Sequence, residues 1–120
     1  MVHLARRPYG DSVRLICALP YENFSKTHHF DDDWRMHYSH LKMFSQKVIN
    51  VTGNQNREMG CYLVRNTYMV DNSSLLICYH TGKSGGTADT VQYAREEKLD
   101  IINVVNYLTI PENLSSQYSL

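Results

Sequence analysis

Apolar and polar positions alternate along this chain in blocks that predict strands and helices in turn. Residues 13–19, VRLICAL, form the first apolar run, and Pro20 ends it. A polar loop from Tyr21 to Phe30 follows. Asp31, Asp32 and Asp33 then mark a helix start, where acidic side chains favour the N–H-rich end. Trp34, Tyr38 and Leu41 recur at i, i+4 and i+7, one face of a helix reaching about Phe44. Residues 47–51 read as a second strand, punctuated by Gly53 and Asn54. The pattern next predicts a helix over 56–70, carrying Met59, Tyr62, Leu63, Arg65 and Met69. A short apolar strand over 75–79 leads into a glycine loop, Gly82-Lys83-Ser84-Gly85-Gly86-Thr87. A helix over 87–98, with Val91 and Ala94 on one face, and a strand over 101–105 complete the series. Strands that are apolar on both faces and alternate with helices predict a mostly parallel sheet covered on both sides. The expected fold is therefore α/β, a Rossmann-like three-layer α/β/α arrangement. Its domain spans residues 1–105, and residues 106–120 form a polar C-terminal tail with Leu108, Ile110 and Leu114 as its apolar points.

In such folds ligands bind outside the carboxyl ends of the strands. The glycine loop lies at one such end and Pro20-Tyr21-Glu22 at another. A glycine loop between a strand and a helix lets backbone N–H groups approach a phosphate, and the helix dipole adds partial positive charge. The candidate ligand is thus a nucleotide or nucleotide derivative. Gly82, Ser84, Gly85, Gly86, Thr87 and Thr90 are the candidate phosphate contacts. Ser84, Thr87 and Thr90 could equally serve to cap the helix. Arg65 offers a planar fork for phosphate or carboxylate, or a salt bridge with Asp71. Asn66 could orient a ribose or a base, or cap a turn. Asp71 could accept from a ribose hydroxyl or make a structural hydrogen bond. Tyr21 could stack on a base and Glu22 could bond it or a ribose, unless both are plain loop residues. The loop is not a Walker loop, because Ile77 stands where that pattern needs its first glycine.

Composition narrows the partners. The 120 residues suffice for one core, and Lys plus Arg, 12, balances Asp plus Glu, 12. That balance argues against broad nucleic-acid binding, which rests on many basic phosphate contacts. No apolar run approaches the ~20 residues of a membrane span, and no signal-peptide pattern opens the chain. Cys17, Cys61 and Cys78 lack metal-type spacing and read as free thiols in a reducing cytoplasm. The N-x-S/T matches at Asn50, Asn72 and Asn113 are then chance. His28-His29 beside the three aspartates does not make a metal site, since adjacent histidines rarely face one ion. No metal and no separate cofactor are expected.

Several spaced blocks together resemble the YpsA-type family of the SLOG superfamily, which includes the LOG-like and DprA groups. They are ICALPYE at 16–22, Trp34, Gly60-Cys61, RNTYMVDNSSLLI at 65–77 and GKSGGTADTVQYA at 82–94. The resemblance implies a Rossmann-like domain that binds a nucleotide-derived ligand. It also implies an N-terminally short form, because the family's opening strand and Thr-Gly-His-Arg-Pro-like block have no counterpart here. A sheet edge left open in that way invites pairing with another chain, so a homo-oligomer is expected. LOG-like hydrolases carry Arg-Lys-x-x-Met and Pro-Gly-Gly-x-Gly-Thr-x-x-Glu. Arg65 to Met69 fits the first, and Gly85-Gly86-Thr87 fits the second loosely. Thr90 stands at the position of the catalytic glutamate. A threonine cannot supply the charge that glycosidic hydrolysis needs, so no catalytic residue is assigned and binding is expected over turnover. Sequestration of an NAD-derived signal such as cyclic ADP-ribose, in the manner of phage counter-defence proteins, is one form of it. A LOG-type phosphoribohydrolase using Glu22 is the enzymatic alternative. A regulator with a vestigial nucleotide loop is the third.

Overall fold

The computed structural model describes residues 12–27 and 29–107. His28, the segment before Ser12 and the tail beyond Tyr107 lie outside the described residues. The chain is mixed α/β. Its strands are β1 (Ile16–Leu19), β2 (Lys47–Asn50), β3 (Leu75–Cys78) and β4 (Asp100–Asn103). Its helices are α1 (Asp32–Phe44), α2 (Cys61–Asp71) and α3 (Gly86–Glu96), with 3-10 turns at Phe24–Lys26 and Val104–Asn106. Strands β1 and β2 pair in parallel, Ile16 opposite Lys47 through Leu19 opposite Asn50. Strands β3 and β4 also pair in parallel, Leu75 opposite Asp100 through Cys78 opposite Asn103. The chain divides into two compact units, one ending at Met69 and one beginning at Val70.

In the first unit, Pro20 ends β1 because it has no N–H to give the ladder. The two chain segments leaving the strands then continue to pair. Val51 N–H donates to Leu19 O at 3.0 Å, Glu22 N–H to Asn54 O at 2.9 Å and Asn23 N–H to Gln55 O at 2.9 Å. Thr52 Oγ1 donates to Pro20 O at 2.8 Å. This pairing explains why α2 does not start at residue 56 as the pattern predicts. Residues 54 and 55 are engaged with 22 and 23, and Gly60 turns left-handed at φ +80° before Cys61. Met59, predicted on that helix, is fully exposed.

Helix α1 begins where the aspartates predict it. Asp31 is the N-cap, and its carboxylate accepts from Trp34 N–H at 2.8 Å. Aromatic rings fill the space around it. Phe30 stacks on Trp34 at 3.7 Å and Trp34 on Tyr38 at 5.1 Å, while Phe24 meets Trp34 edge-on at 5.7 Å. Leu41, predicted on the same face, is exposed instead. The Tyr38 hydroxyl is buried with no hydrogen-bond partner among the described residues, and burial pushes its pKa up.

In the second unit, α3 packs on β3 and β4 with Val91 and Ala94 buried. The helix stops at Glu96 rather than at the predicted residue 98. Lys98 adopts φ +61°, and Leu99 N–H reaches back to Ala94 O at 2.9 Å, the bond that closes a left-handed helix end. Chain direction then reverses into β4. That strand ends at Asn103, two residues before the predicted end, because Val104–Asn106 coil into the 3-10 turn.

Asp31→Ala should destabilise the first unit by about 1 kcal/mol through loss of the cap. Asp33→Ala, which removes no cap bond, should change stability by less. Urea unfolding followed by Trp34 fluorescence checks both, and equal effects would remove the cap from the account.

Candidate functional site

The site is built at the carboxyl end of β3. After Cys78 the chain leaves the strand through Tyr79 and His80, and this exit is held by one side chain. Asn103, the last residue of β4, donates from Nδ2 to His80 O at 2.8 Å, and its Oδ1 accepts from His80 N–H at 3.1 Å. The amide side chain thus pairs with both polar groups of one residue's backbone. The same Oδ1 accepts from Val105 N–H at 3.3 Å and caps the 3-10 turn.

From His80 the chain enters the glycine loop. Gly82 has φ +93° and Gly85 φ +139°, conformations that side-chain-bearing residues rarely adopt. Gly85 is the N-cap of α3, and among the described residues no side chain caps this helix start. The first-turn N–H groups therefore have no partner inside the helix, and they carry the positive end of its dipole. The first intrahelical bond runs from Asp89 N–H to Gly85 O at 3.0 Å.

The loop encloses a cavity of about 190 Å³. Tyr79, His80, Thr81, Lys83, Ser84, Gly85, Gly86 and Thr87 line it. Among the described lining residues there is a lysine, a histidine and several hydroxyls, but no carboxylate. That is a donor set for an anion. Gly86 leaves the floor open, since nothing lies within 4 Å of where its Cβ would stand. The structure thus brings together Ser84, Gly85, Gly86 and Thr87 of the predicted set. Gly82 sits within the same loop, outside the lining. His80, Lys83 and Tyr79 are lining residues that the sequence reading did not single out. Their signal was position alone, the residues that leave a strand's carboxyl end immediately before a glycine loop.

The remaining candidates have other partners. Thr90 is expected to offer its hydroxyl to phosphate, but Oγ1 donates to Gly86 O at 2.8 Å. A hydroxyl one turn into the helix finds the carbonyl four residues back at hand, so its donor is turned along the helix. Asp71, the possible ribose acceptor, makes the structural bond instead. Its Oδ1 accepts from the Tyr93 hydroxyl at 2.6 Å.

In the first unit, Tyr21 is 3% exposed. It meets Phe24 and Tyr62 edge-on at 5.7 and 6.3 Å, and its hydroxyl is 2.8 Å from Thr27 Oγ1. A ring packed this way presents no open face to a base. Glu22 is exposed, and its backbone N–H donates to Asn54 O. Arg65 Nε donates to Asn66 Oδ1 at 2.7 Å, which ties together two residues read as separate contacts. The Arg65 guanidinium also lies 5.8 Å from the centre of the Tyr62 ring. Its partial burial lowers its pKa, and Tyr62 and Cys61 act in the opposite direction.

Among the described residues, no group of three His, Cys, Asp or Glu is arranged to hold a metal ion, and no helix is long and apolar enough to cross a membrane. No family model, curated protein or solved structure matches the chain.

Two outcomes test this geometry. Asn103→Ala leaves both His80 backbone groups without their partner. The site is only partly buried, so the cost should be about 1–2 kcal/mol, with faster exchange of the His80 amide hydrogen. Unchanged exchange would show that the exit is held by other means. The second concerns Tyr93, whose pKa is pushed up to about 12, first by its bond to Asp71 and then by burial and the Asp71 charge. A tyrosine is neutral below its pKa, and here the folded value exceeds the ordinary value of 10.0. The bond therefore contributes in full below pH ~10 and is lost as pH rises through ~12. In Asp71→Asn the Tyr93 titration should move down, followed by the ring carbon signal of labelled tyrosine. An unmoved midpoint would dissociate the shift from Asp71.

Proposed function

We propose that this protein binds a phosphate-bearing, nucleotide-derived small molecule and releases it unchanged. The observation that carries the reading is the cavity over the glycine loop. It combines uncapped N–H groups at the start of α3, Lys83, His80 and the Ser84 and Thr87 hydroxyls, with no carboxylate among its described lining. The phosphate sits against Gly85 and Gly86, where a side chain would intrude. Binding without turnover is supported by the residue at 90. Thr90 has no charge to stabilise a ribosyl cation, and its hydroxyl is already donated within α3.

The block resemblance to the YpsA-type SLOG family supports the same ligand class and a Rossmann-like three-layer domain. Under this proposal the protein acts as a homo-oligomer. The three free cysteines suit a reducing cytoplasm. Sequestration of an NAD-derived signalling nucleotide is the biological form we favour.

The test is a thermal-shift screen with AMP, ADP, ATP, NAD, ADP-ribose, cyclic ADP-ribose isomers and cyclic dinucleotides, each ligand chromatographed afterwards. A ligand specific to the native state at a hundredfold excess over its Kd contributes about 2.7 kcal/mol and raises the midpoint. The expected result is a shift with the ligand recovered intact. Gly86→Val should abolish that shift while the free protein's midpoint stays close to wild type, because nothing in the protein lies within 4 Å of the added Cβ. Recovery of cleaved ligand would replace binding with hydrolysis. A folded protein that shifts with no member of the panel would make the loop structural.

A further inference from the structure

A second cavity, of about 300 Å³, lies in the first unit and has no part in the reading above. It is lined by Ser25 and Lys26 of the 3-10 turn and by Arg35 and Ser39 of α1. Arg35 is fixed there from one side. Its Nε donates to Ser25 O and its Nη2 to Thr27 O, both at 3.1 Å. Two bonds to neighbouring carbonyls set the plane of the guanidinium. A guanidinium carries five N–H donors, so these two bonds leave others to point elsewhere. Its charge is permanent.

Asp32 is the acid within ion-pair reach of Arg35 among the described residues. Its Oδ1 is 4.0 Å from Arg35 Nη1, and its side chain is fully exposed. At that distance and exposure the pair is screened by water and does not neutralise the arginine. Asp31 is already committed to the Trp34 N–H. Ser39 follows Arg35 by one helical turn and so shares its face of α1. Lys26 ends the 3-10 turn and adds a second cation. Among the described lining residues no carboxylate and no apolar side chain is present.

Two cations, one of them held in plane, and two hydroxyls around one hollow form a donor set for a tetrahedral oxyanion. From this we infer that Ser25, Lys26, Arg35 and Ser39 bind the phosphoryl group of a small phosphorylated molecule. The cavity is at the lower end of the range for small-ligand sites, ~300–1,000 Å³. It suits a phosphoryl group with a short carbon skeleton better than a whole nucleotide. The site rests on side chains of the 3-10 turn and α1, and it stands or falls independently of the glycine loop.

The experiment is a titration of the ¹⁵N-labelled full chain with glycerol 3-phosphate and with inorganic phosphate, against sodium chloride at matched ionic strength. The amide signals of Ser25, Lys26 and Ser39 should shift saturably with both phosphates and not with chloride. The double variant Lys26→Ala, Ser39→Ala should weaken binding at least tenfold. Both positions are exposed, and the emission of Trp34, the single tryptophan, reports whether the variant keeps its fold. Arg35→Lys keeps the charge, loses the fork and should weaken binding as well. In Gly86→Val the shifts of Ser25, Lys26 and Ser39 should persist with the same midpoint. Three results would overturn the assignment: shifts reproduced by chloride, undiminished affinity in the double variant, or loss of the signal in Gly86→Val, which would assign the phosphate to the glycine loop.

Discussion

Strands of four residues offer too few ladder bonds to hold a parallel pair, and an isolated two-stranded sheet is marginal in water. Each unit meets this constraint at the strand ends. In the first, Leu15 N–H donates to Gln46 Oε1 at 2.7 Å and Gln46 N–H to Leu15 O at 2.9 Å, closing the start of β1 and β2. The segments after the strands stay paired as far as Asn23 and Gln55. In the second, Asp100 N–H donates to Ser74 O at 3.2 Å at the start, and Asn103 holds the exit by His80. The residues that extend the strands are therefore the residues that shape the loops. A loop tied in this way can hold backbone N–H groups toward a ligand without losing much freedom when the ligand arrives.

Side-chain packing carries the rest unevenly. In the first unit Leu19, Pro20, Tyr21 and Cys61 are buried, and half-buried rings gather beside Tyr21, with Phe24, Phe30, Trp34, Tyr38 and Tyr62 meeting edge-on or stacked. Large rings cover much area per residue, which suits a segment with few aliphatic core positions. The second unit relies on small residues instead. Val91 and Ala94 are the buried residues of α3, the helix that packs on β3 and β4.

The elements whose signals are local were legible in the sequence. The aspartate cap and the four-residue spacing of Trp34 and Tyr38 define α1, and the glycine loop between β3 and α3 follows from Gly82, Gly85 and Gly86. What escaped depends on long-range partners. The start of α2 was misread because Asn54 and Gln55 pair with residues more than thirty positions earlier. By its place at a strand end Tyr21 reads as a base-stacking or loop residue, yet its ring is packed against Phe24 and Tyr62. Asn103 reads as one more residue of an apolar strand. Its amide serves a backbone 23 positions away, and no periodicity encodes that.

Thr90 shows how a single local bond bears on chemistry. The first turn of α3 has carbonyls pointing down the helix and N–H groups pointing up toward the cavity. A side chain at 90 can serve one or the other. A carboxylate there has no proton to donate to Gly86 O, and it would be repelled by that carbonyl and drawn to the N–H end. A threonine has the opposite tendency and turns its proton to the carbonyl. The same backbone would therefore draw a glutamate toward the uncapped N–H groups, while it leaves the threonine hydroxyl on Gly86 O. Charge, rather than the shape of the loop, is what would distinguish a hydrolase from a binder in this arrangement.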